Sequence, residues 1–397
     1  MDIELKICGE IIDVRDGTHD SPKYVDKGFP LITSKNLKNG KIILDDANFV
    51  TKEDYDSINK RSKVDRGDIL YSMIGTIGNF SLVEDEPIYA IKNVALFKFN
   101  DAAVFNKYFL YVLSSNFVKQ QIELQQKGGT QKFVTLKILR NLQIPLPPLK
   151  TQQRIAGILD NAAALRDKTA QLLIEYNLLA QSIFLEMFGD PGLNQKKWQI
   201  EEFGKYINVL TDYHANGSYQ ILNKNVELFS DKNFALMVRT TDLENNDYEE
   251  GVNYISEEAY NFLKKSKVYG GEIIMNKIGS AGKVYLMPYL NRPVSLGMNA
   301  FLLRLNENMN SLFAYYYLTT NYGEWQINKR VKGAVTKTIR KDAVRAIPII
   351  VPPIELQIQF ADKIALIEQQ KALAKQELLE SEDLFNCLLQ QAFKGEL

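Results

Sequence analysis

The sequence predicts a mixed α/β (α+β) fold that is built twice along the chain, as a tandem repeat with pseudo-two-fold symmetry. We expect two globular domains separated by two long helices, which pair as an antiparallel coiled coil. Three observations support this: the halves repeat each other, each half mixes strand-like and helical segments, and each half ends in a long helix with a regular hydrophobic pattern. The predicted boundaries are 1–145 and 191–349 for the globular domains, and 146–190 and 350–397 for the helices.

Two glycine-rich turns show the repeat most clearly. GDILYSMIGTIG occupies residues 67–78 and GEIIMNKIGSAG occupies residues 271–282, a separation of 204 residues (271 − 67 = 204). YVLSSNF begins at Tyr111 and YYLTTNY begins at Tyr316, a separation of 205 (316 − 111 = 205). Matches at a nearly constant separation predict a tandem duplication. We expect the glycines of both motifs to close turns.

A Pro-Pro pair precedes each long helix, at 147–148 and 352–353, and fixes where the helix begins. The residues of the first helix that follow a coiled-coil pattern are Ile155, Ile158, Leu165, Leu172, Tyr176, Leu179 and Ile183. Those of the second helix are Phe360, Ile364, Ile367, Leu378, Phe385 and Leu388. We predict that both sets are core residues. Each half also contains one predicted amphipathic helix, at about 106–126 and about 311–329.

Composition narrows the class of protein. Lys and Arg number 48 and Asp and Glu number 48, so the chain lacks the overall basic charge typical of many nucleic-acid-binding proteins. Cys8 and Cys387 stand far apart, which favours a reducing compartment over a disulfide framework. No stretch approaches the roughly 18 apolar residues of a membrane span, and the first residues do not resemble a signal peptide. We expect a cytoplasmic protein.

Motifs for catalysis are absent from the sequence. There is no GxxxxGK phosphate loop followed by Ser or Thr, and no GxGxxG between a strand and a helix. His19 and His214 are the only histidines, and no Cys/His cluster has the spacing of metal ligands. The Pro-Pro pairs lack the polar residue and the aromatic ring that flank them in amino-methyltransferases. We therefore expect no catalytic residue, metal or cofactor in this chain.

Two long segments resemble a known family. Residues 144–191 resemble the central region of type I restriction–modification specificity subunits; they read IPLPPLKTQQRIAGILDNAAALRDKTAQLLIEYNLLAQSIFLEMFGDP. Residues 351–397 look like the distal counterpart; they read VPPIELQIQFADKIALIEQQKALAKQELLESEDLFNCLLQQAFKGEL. The two glycine-rich turns also resemble a recurrent element of that family's target-recognition domains.

The resemblance implies a DNA-binding subunit without catalysis of its own. Each globular domain would be a target-recognition domain that reads part of a bipartite site in double-stranded DNA, and the helices would be the spacer. The helices would also dock two methyltransferase (modification) subunits, which bind S-adenosylmethionine and methylate adenine at N6. Restriction subunits would complete the nuclease. The family often has a basic residue at the place of Lys277, and Met73 occupies that place in the first half.

Candidate DNA contacts lie in loops of both halves, because base edges and phosphates are bound by exposed donors and acceptors. In the first half they are Arg15, Thr18, His19, Lys23, Lys35, Asn36, Thr76, Lys127, Thr130, Gln131 and Lys132. In the second half they are Arg239, Thr240, Lys277, Ser280, Lys332, Thr336, Lys337 and Arg340. These loops also fit solvated turns without a function, and Thr76 and Ser280 fit a simple β-turn equally well.

Two other functions stay open. The chain fits the recognition portion of a fused restriction–methylation enzyme, although no catalytic domain is recognisable in its 397 residues. It also fits a coiled-coil adaptor without DNA affinity, although that leaves the divergence of the duplicated loops unexplained. Salt-dependent binding to duplex DNA would separate the adaptor from the other two functions.

Overall fold

The computed structural model describes residues 4–99, 103–125 and 133–397, which form two compact units. The first unit comprises Met1–Gln171 and Ala374–Leu397, and the second comprises Leu172–Leu373. Each unit therefore contains one globular part together with a portion of both long helices. Within the described ranges, none of the helices is both long enough and apolar enough to span a membrane.

The first unit is built on a four-stranded antiparallel sheet. In chain order, the strands of the whole unit are β1 (Leu5–Ile7), β2 (Asp13–Asp16), β3 (Phe29–Ile32), β4 (Leu37–Lys38), β5 (Lys41–Ile42), β6 (Asn48–Val50), β7 (Ile69–Ser72), β8 (Phe80–Leu82), β9 (Ala90–Ile91), β10 (Val94–Lys98) and β11 (Gln143–Pro145). Its helices are α1 (Cys8–Ile11), α2 (Lys52–Ser62), α3 (Asn106–Ser114), α4 (Asn116–Gln125), α5 (Leu136–Arg140) and the first part of α6 (Leu149–Phe188). The main sheet has the order β2-β10-β7-β8, and a smaller sheet has the order β6-β3-β9.

The second unit repeats this plan. Its strands are β12 (Gln199–Glu202), β13 (Ile207–Asp212), β14 (Ala235–Val238), β15 (Asn253–Ile255), β16 (Lys267–Val268), β17 (Ile273–Asn276), β18 (Val284–Leu286), β19 (Val294–Leu296), β20 (Ala300–Leu305) and β21 (Pro348–Val351). Its helices are α7 (Tyr219–Asn225), α8 (Thr240–Asn245), α9 (Glu257–Phe262), α10 (Ser311–Leu318), α11 (Asn321–Asn328), α12 (Lys341–Arg345) and the first part of α13 (Ile354–Lys394). The main sheet β13-β20-β17-β18 corresponds strand by strand to β2-β10-β7-β8, so the predicted duplication is present in the topology.

Both faces of each main sheet are buried. In the first unit Tyr71 and Phe97 enter a core with α3, α4 and α6, whereas Leu70 and Leu96 enter a second core with β3 and β9. The second unit divides alternate strand residues between two cores in the same way. Strands buried on both faces are hydrophobic at successive positions, which explains the apolar residues that follow the Gly-Asp or Gly-Glu pair at the start of each repeated motif.

A buried acidic residue follows that first glycine and is neutralised within its unit. Asp68 accepts a hydrogen bond from Lys98 Nζ (2.8 Å). Glu272 accepts one from Arg304 Nε (3.1 Å). A buried carboxylate needs such a charged partner to offset its lost hydration. The acid that the two motifs share is therefore a structural residue.

A helix break lies inside the repeated motifs YVLSSNF and YYLTTNY. Helices α3 and α4 meet at Ser115, and α10 and α11 meet at Thr319 and Thr320. The Ser115 hydroxyl donates to the Val112 carbonyl (2.6 Å), and the Thr320 hydroxyl accepts from the Gly323 N–H (3.1 Å). The prediction of one amphipathic helix in each half was wrong, because hydroxyl side chains at these positions bond to backbone groups and cap a new helix.

The buried side of α6 differs from the predicted one. Leu165 and Leu179 are 42% and 46% exposed, so their prediction as core residues was wrong. Buried residues that the pattern omitted are Ala156, Leu159, Ala180, Phe184 and Phe188. The error arises because leucines occur on both sides of α6, while several buried positions carry small residues. The other predicted positions of α6 and all predicted positions of α13 are buried or half-buried.

In each unit an early part of one long helix packs beside a late part of the other. In the first unit Leu159 shares a core with Leu389. In the second unit Phe360 contacts the rings of Phe184 and Phe188, with ring centroids 5.6 and 5.4 Å away. Pairing of early with late segments is what an antiparallel arrangement of the two helices requires.

A buried glutamine fixes the start of each long helix. Gln152 Nε2 donates to the Pro147 carbonyl (2.8 Å), and its Oε1 accepts from the Phe105 N–H (2.8 Å). Gln357 makes the equivalent two bonds in the second unit, at 2.8 and 2.9 Å. Each long helix is thereby joined by a hydrogen bond to the residue before a short helix of its globular part, α3 in the first unit and α10 in the second.

We predict that Phe184→Ala lowers the free energy of unfolding of the second unit by about 3–5 kcal/mol, because the substitution leaves a cavity among three aromatic rings. Leu179→Ala in the same helix should cost about 1 kcal/mol or less, since its side chain is largely exposed. Chemical denaturation of both variants measures the difference. Equal losses of unfolding free energy in the two variants would contradict the prediction, because they would mean that the Leu179 side chain is packed in the core.

Candidate nucleic-acid interface

In the first unit, four loops meet at one end of the main sheet. They are residues 17–24 after β2, 33–36 after β3, 73–79 between β7 and β8, and 92–93 between β9 and β10. Backbone hydrogen bonds join them: the Thr18 N–H donates to the Ile91 carbonyl (3.0 Å), the Lys92 N–H to the Ile32 carbonyl (2.9 Å), and the Asn93 N–H to the Thr18 carbonyl (3.2 Å). The loops therefore form one connected surface.

The second unit brings loops together at the same end of its own main sheet. They are residues 213–217 after β13, 239–244 after β14, 277–283 between β17 and β18, 297–299 between β19 and β20, and 332–340 before α12. The Lys277 N–H donates to the Asn299 carbonyl (2.8 Å), and the Gly279 N–H donates to the Lys337 carbonyl (3.0 Å). Equivalent surfaces are thus built twice.

The glycine-rich turns have the same backbone shape in both units. The glycines with positive φ are Gly75 (80°), Gly78 (91°), Gly279 (83°) and Gly282 (89°). Such angles favour glycine over residues with a Cβ atom. At Gly282 a Cβ atom would also lie 2.4 Å from the Ile327 side chain. The turns place the predicted residues Thr76 and Ser280 at the exposed surface.

A buried aspartate, Asp16, ends β2 directly before the first surface loop. His19 Nε2 contacts its carboxylate at 2.8 Å, and the Arg61 guanidinium forms an ion pair with it. His19 Nδ1 lies 2.7 Å from Asn93 Oδ1. The hydrogen bond to Asn93 and the bond to Asp16 raise the pKa of His19 above its usual value of 6.5, against the smaller opposing effects of burial and Arg61. His19 therefore ties the loop to the strand and to the neighbouring loop.

The equivalent aspartate of the second unit, Asp212, has different partners. It accepts from Lys277 Nζ (2.7 Å) and lies 3.5 Å from Lys341 Nζ. Burial acts to raise the pKa of Asp212, but the two lysines hold it below its usual value. Because the Lys277 side chain is only 12% exposed, its prediction as a DNA contact is corrected. Met73 at the same place is buried among apolar residues.

The residues predicted as DNA contacts in and before the first loop differ in how accessible their side chains are to a ligand. Arg15 lies in β2, where its guanidinium pairs with Asp13 (2.6 Å), and it is therefore held within the unit. Thr18 is half-buried and its hydroxyl accepts from the Asp20 N–H (3.1 Å). Lys23 is exposed to solvent.

Lys35 and Asn36 also differ in availability. Lys35 is exposed. Asn36 is only 3% exposed, and its amide donates to the Ile43 carbonyl (3.0 Å) and accepts from the Thr33 N–H (3.0 Å). The prediction of Asn36 as a DNA contact is corrected, because its amide is used to close the loop.

Arg239 and Thr240 begin α8 in the second unit. The Arg239 guanidinium donates to Asp242 (2.7 Å) and to the Gly251 carbonyl (2.6 Å). Part of the guanidinium still reaches the surface, beside the half-buried Thr240. Arg239 therefore fixes the start of α8 and contributes positive charge to this surface.

Residues 332–340 carry the most accessible positive charge at this end of the second unit. Its predicted residues Lys332, Thr336, Lys337 and Arg340 are all exposed. Within the described ranges no side chain forms an ion pair with either lysine or with Arg340. The corresponding predicted residues of the first half, Lys127, Thr130, Gln131 and Lys132, lie outside the described residues.

Sequence analysis missed other residues on the same surfaces. Ile74 and Ile278 are exposed at the tips of the glycine-rich turns. Lys92 and Met298 hold equivalent places in the loops before β10 and β20. The nearly constant separation between the halves could have identified these pairs (278 − 74 = 204; 298 − 92 = 206).

The exposed groups of both surfaces suit a polyanionic ligand that also presents hydrogen-bond donors and acceptors. In the part of the chain that the structure describes, no group of His, Cys, Asp or Glu is arranged to hold a metal ion. The exposed groups are ammonium, guanidinium, hydroxyl and amide groups and, at Asp20 and Glu244, carboxylates, with a few apolar side chains. These are the groups that bind phosphates and base edges in duplex DNA.

Comparison with protein families assigns both halves of the chain to one family. Residues 2–175 and 211–381 match the family described as the type I restriction modification DNA specificity domain. The two matches include the loop-bearing end of each main sheet and most of both long helices.

Individual relatives agree with this match. A putative type I restriction enzyme MjaX specificity subunit from Methanocaldococcus jannaschii is 24% identical over 401 residues, which cover 95% of this chain and 89% of the relative. The type I restriction enzyme EcoBI specificity subunit from Escherichia coli is 27% identical over 179 residues, which cover 44% of this chain and 37% of the relative.

Solved structures have the same fold. The S subunit of a type I restriction–modification system from M. genitalium has a TM-score of 0.58 at 16% identity, and the alignment covers 98% of this chain and 96% of that one. A chain from a study of complex assembly and conformational transition of the type I R-M system has a TM-score of 0.57 at 17% identity, with 99% and 98% covered.

We predict that His19 titrates above pH 6.5, because its protonated ring donates to Asn93 and Asp16. The charged ring favours the folded loop, so this contribution to stability is present below pH 6.5 and is lost as the pH rises through the raised pKa. NMR titration of the ring protons measures the pKa, and Asn93→Ala should lower it. A midpoint at or below 6.5 in the unsubstituted protein would contradict the prediction.

Proposed function

Because this chain belongs to the type I restriction–modification DNA specificity family, we propose that it is the sequence-specificity subunit of a type I restriction–modification complex. Each unit reads one part of a bipartite target in double-stranded DNA. The observation that carries the proposal is the surface built twice from equivalent loops at the same end of equivalent sheets. The glycine-rich turns keep the same backbone hydrogen bonds, such as those from the Gly78 N–H to the Ser72 carbonyl (3.3 Å) and from the Gly282 N–H to the Asn276 carbonyl (2.7 Å). The exposed side chains of the loops differ, as two readers of different base pairs require.

Phosphate binding and base reading fall to different residues. Lys332, Lys337 and Arg340 are exposed cations without an ion-pair partner in the described residues, so we propose that they bind phosphates. Lys23 and Lys35 have the same role in the first unit. Base reading falls to the half-exposed and exposed polar groups between them, such as Thr18. The neutral total charge of the chain is compatible with this division, since the cations are gathered locally.

The long helices provide a docking surface for the modification subunits. A series of exposed apolar residues runs along them although each helix already has a buried side; they are Leu165, Ile174, Leu178, Leu179, Leu185, Ile358, Leu366, Leu373, Leu379 and Leu384. Exposed apolar residues in such number favour burial against another protein. We propose that two methyltransferase subunits cover them.

Catalysis belongs to those partners. The modification subunits bind S-adenosylmethionine and methylate adenine at N6, and restriction subunits join where the complex cleaves DNA. This chain contributes no catalytic residue, and it works in the cytoplasm, where its target is found.

We expect a genome-wide map of N6-methyladenine to lose one interrupted motif when the gene is deleted. Restoring the gene should restore the same motif, because the sequence is read by this chain. The matched control is a strain that lacks the modification subunit and should lose the same motif. Identical maps with and without the gene, in cells that produce both proteins, would contradict the proposed function.

We also expect Lys332→Ala and Lys337→Ala to weaken DNA binding about equally for target and non-target duplexes. Each should reduce the slope of log K against log salt concentration by roughly 1, as loss of one phosphate contact does. Lys205→Ala is the control, because Lys205 lies at the other end of β13, away from the loops. Selective loss at one base pair would instead make the substituted lysine a base reader.

A further inference from the structure

Glu244 places a carboxylate on the loop-bearing surface of the second unit. It lies in α8, shortly after the end of β14. Its Oε1 accepts hydrogen bonds from Ser280 Oγ (3.2 Å), Lys283 Nζ (3.3 Å) and the Tyr285 hydroxyl (3.2 Å). These donors come from the glycine-rich turn and from the strand that follows it. The carboxylate is therefore held in one position while its second oxygen accepts no hydrogen bond from the described residues.

The carboxylate is both charged and accessible. The hydrogen bond from Lys283 lowers the pKa of Glu244 against the opposing effect of burial, and the hydrogen bonds from Ser280 and Tyr285 add to the lowering. The side chain is 34% exposed. An ionised acceptor is thus presented to a ligand that reaches this surface.

The fold itself does not require an acid here. Asn36 and Asp242 occupy equivalent loop positions (36 + 206 = 242), so the counterpart of Glu244 in the first unit is Lys38 (38 + 206 = 244). The first unit builds the same turn and links it to this loop through the Asn79 amide, which donates to the Leu37 carbonyl (2.8 Å). The glycine-rich turn of the first unit forms with a lysine at this position. The carboxylate of Glu244 is therefore not required for the shape of the turn and is available to bind a ligand.

A carboxylate close to DNA is repelled by phosphates unless it meets a hydrogen-bond donor. In the major groove the donors are the amino groups of cytosine (N4) and adenine (N6). Adenine also presents the acceptor N7 beside its amino group, which repels a carboxylate, whereas cytosine presents the donor alone. Cytosine is therefore the base that fits an ionised acceptor best.

We propose that Glu244 is a specificity-determining residue that accepts a hydrogen bond from the N4 amino group of one cytosine in the half-site bound by the second unit. The inference rests on the proposed function and deepens it by naming one base and the residue that reads it. Ser280, Lys283 and Tyr285 act as positioning residues that orient the carboxylate. Lys38, at the corresponding sequence position, gives the loop of the first unit the opposite charge, so the two half-sites are expected to differ.

The test maps the methylated motif in cells that carry the full-length chain with Glu244→Gln. We expect one half-site to lose its preference for cytosine at one position by roughly 10- to 100-fold, the range of a specific base contact. The other half-site should be unchanged. Glu249→Gln is the matched control, because Glu249 is an exposed acid that pairs with Arg292 in a neighbouring loop, and it should leave the motif intact.

Duplexes in which pyrimidin-2-one replaces that cytosine provide the second measurement, since this base lacks the 4-amino group. The complex with the unsubstituted chain should bind them roughly 10- to 100-fold more weakly than the cytosine duplex, and the Glu244→Gln complex should not distinguish the two. An unchanged motif in Glu244→Gln, a change confined to adenine, or loss of both half-sites would overturn the inference. Absence of any interrupted motif with the unsubstituted chain would remove the proposed function, and the inference with it.

Discussion

The orientation of each loop-bearing surface depends on one buried glutamine at the start of a long helix. Gln152 and Gln357 each satisfy a proline carbonyl and a backbone N–H of the globular part. The bond from the Phe105 N–H or the Asn310 N–H joins the helix to its globular part, and breaking it would leave buried polar groups unpaired at a cost of about 1–3 kcal/mol. In each unit the loops therefore keep a fixed direction relative to the helix that begins there, as the proposed function requires.

A second constraint is the buried aspartate before the first surface loop. Asp16 and Asp212 are both buried carboxylates that need a positively charged partner, and the two units provide different cations. A lysine in the glycine-rich turn neutralises Asp212, whereas Met73 holds that place in the first unit and cations from a loop and a helix neutralise Asp16. Lys277 thus holds the glycine-rich turn of the second unit against the strand.

Sequence alone predicted the duplication, the two long helices and the glycine-rich turns, because each leaves a repeating or local pattern. It failed where the outcome depends on a partner distant in sequence. Leucines lie on both sides of α6, so periodicity could not decide that Leu165 and Leu179 point outward. Asn36 and Lys277 have the chemistry of DNA contacts, and only the folded chain shows that Ile43 and Asp212 engage them. The reading residue Glu244 gave no sequence signal, since its place depends on three donors from another segment.

The division between supporting and exposed groups explains how one fold reads two sequences. Residues that shape the loops, such as Asn36 and Asp242, are buried and bonded within their own unit. Residues that differ in charge between the units, such as Lys38 and Glu244, lie on the surface and are not needed for the shape of the turn. Recognition can therefore change at one base pair while the loop, the sheet and the helix that supports them stay the same.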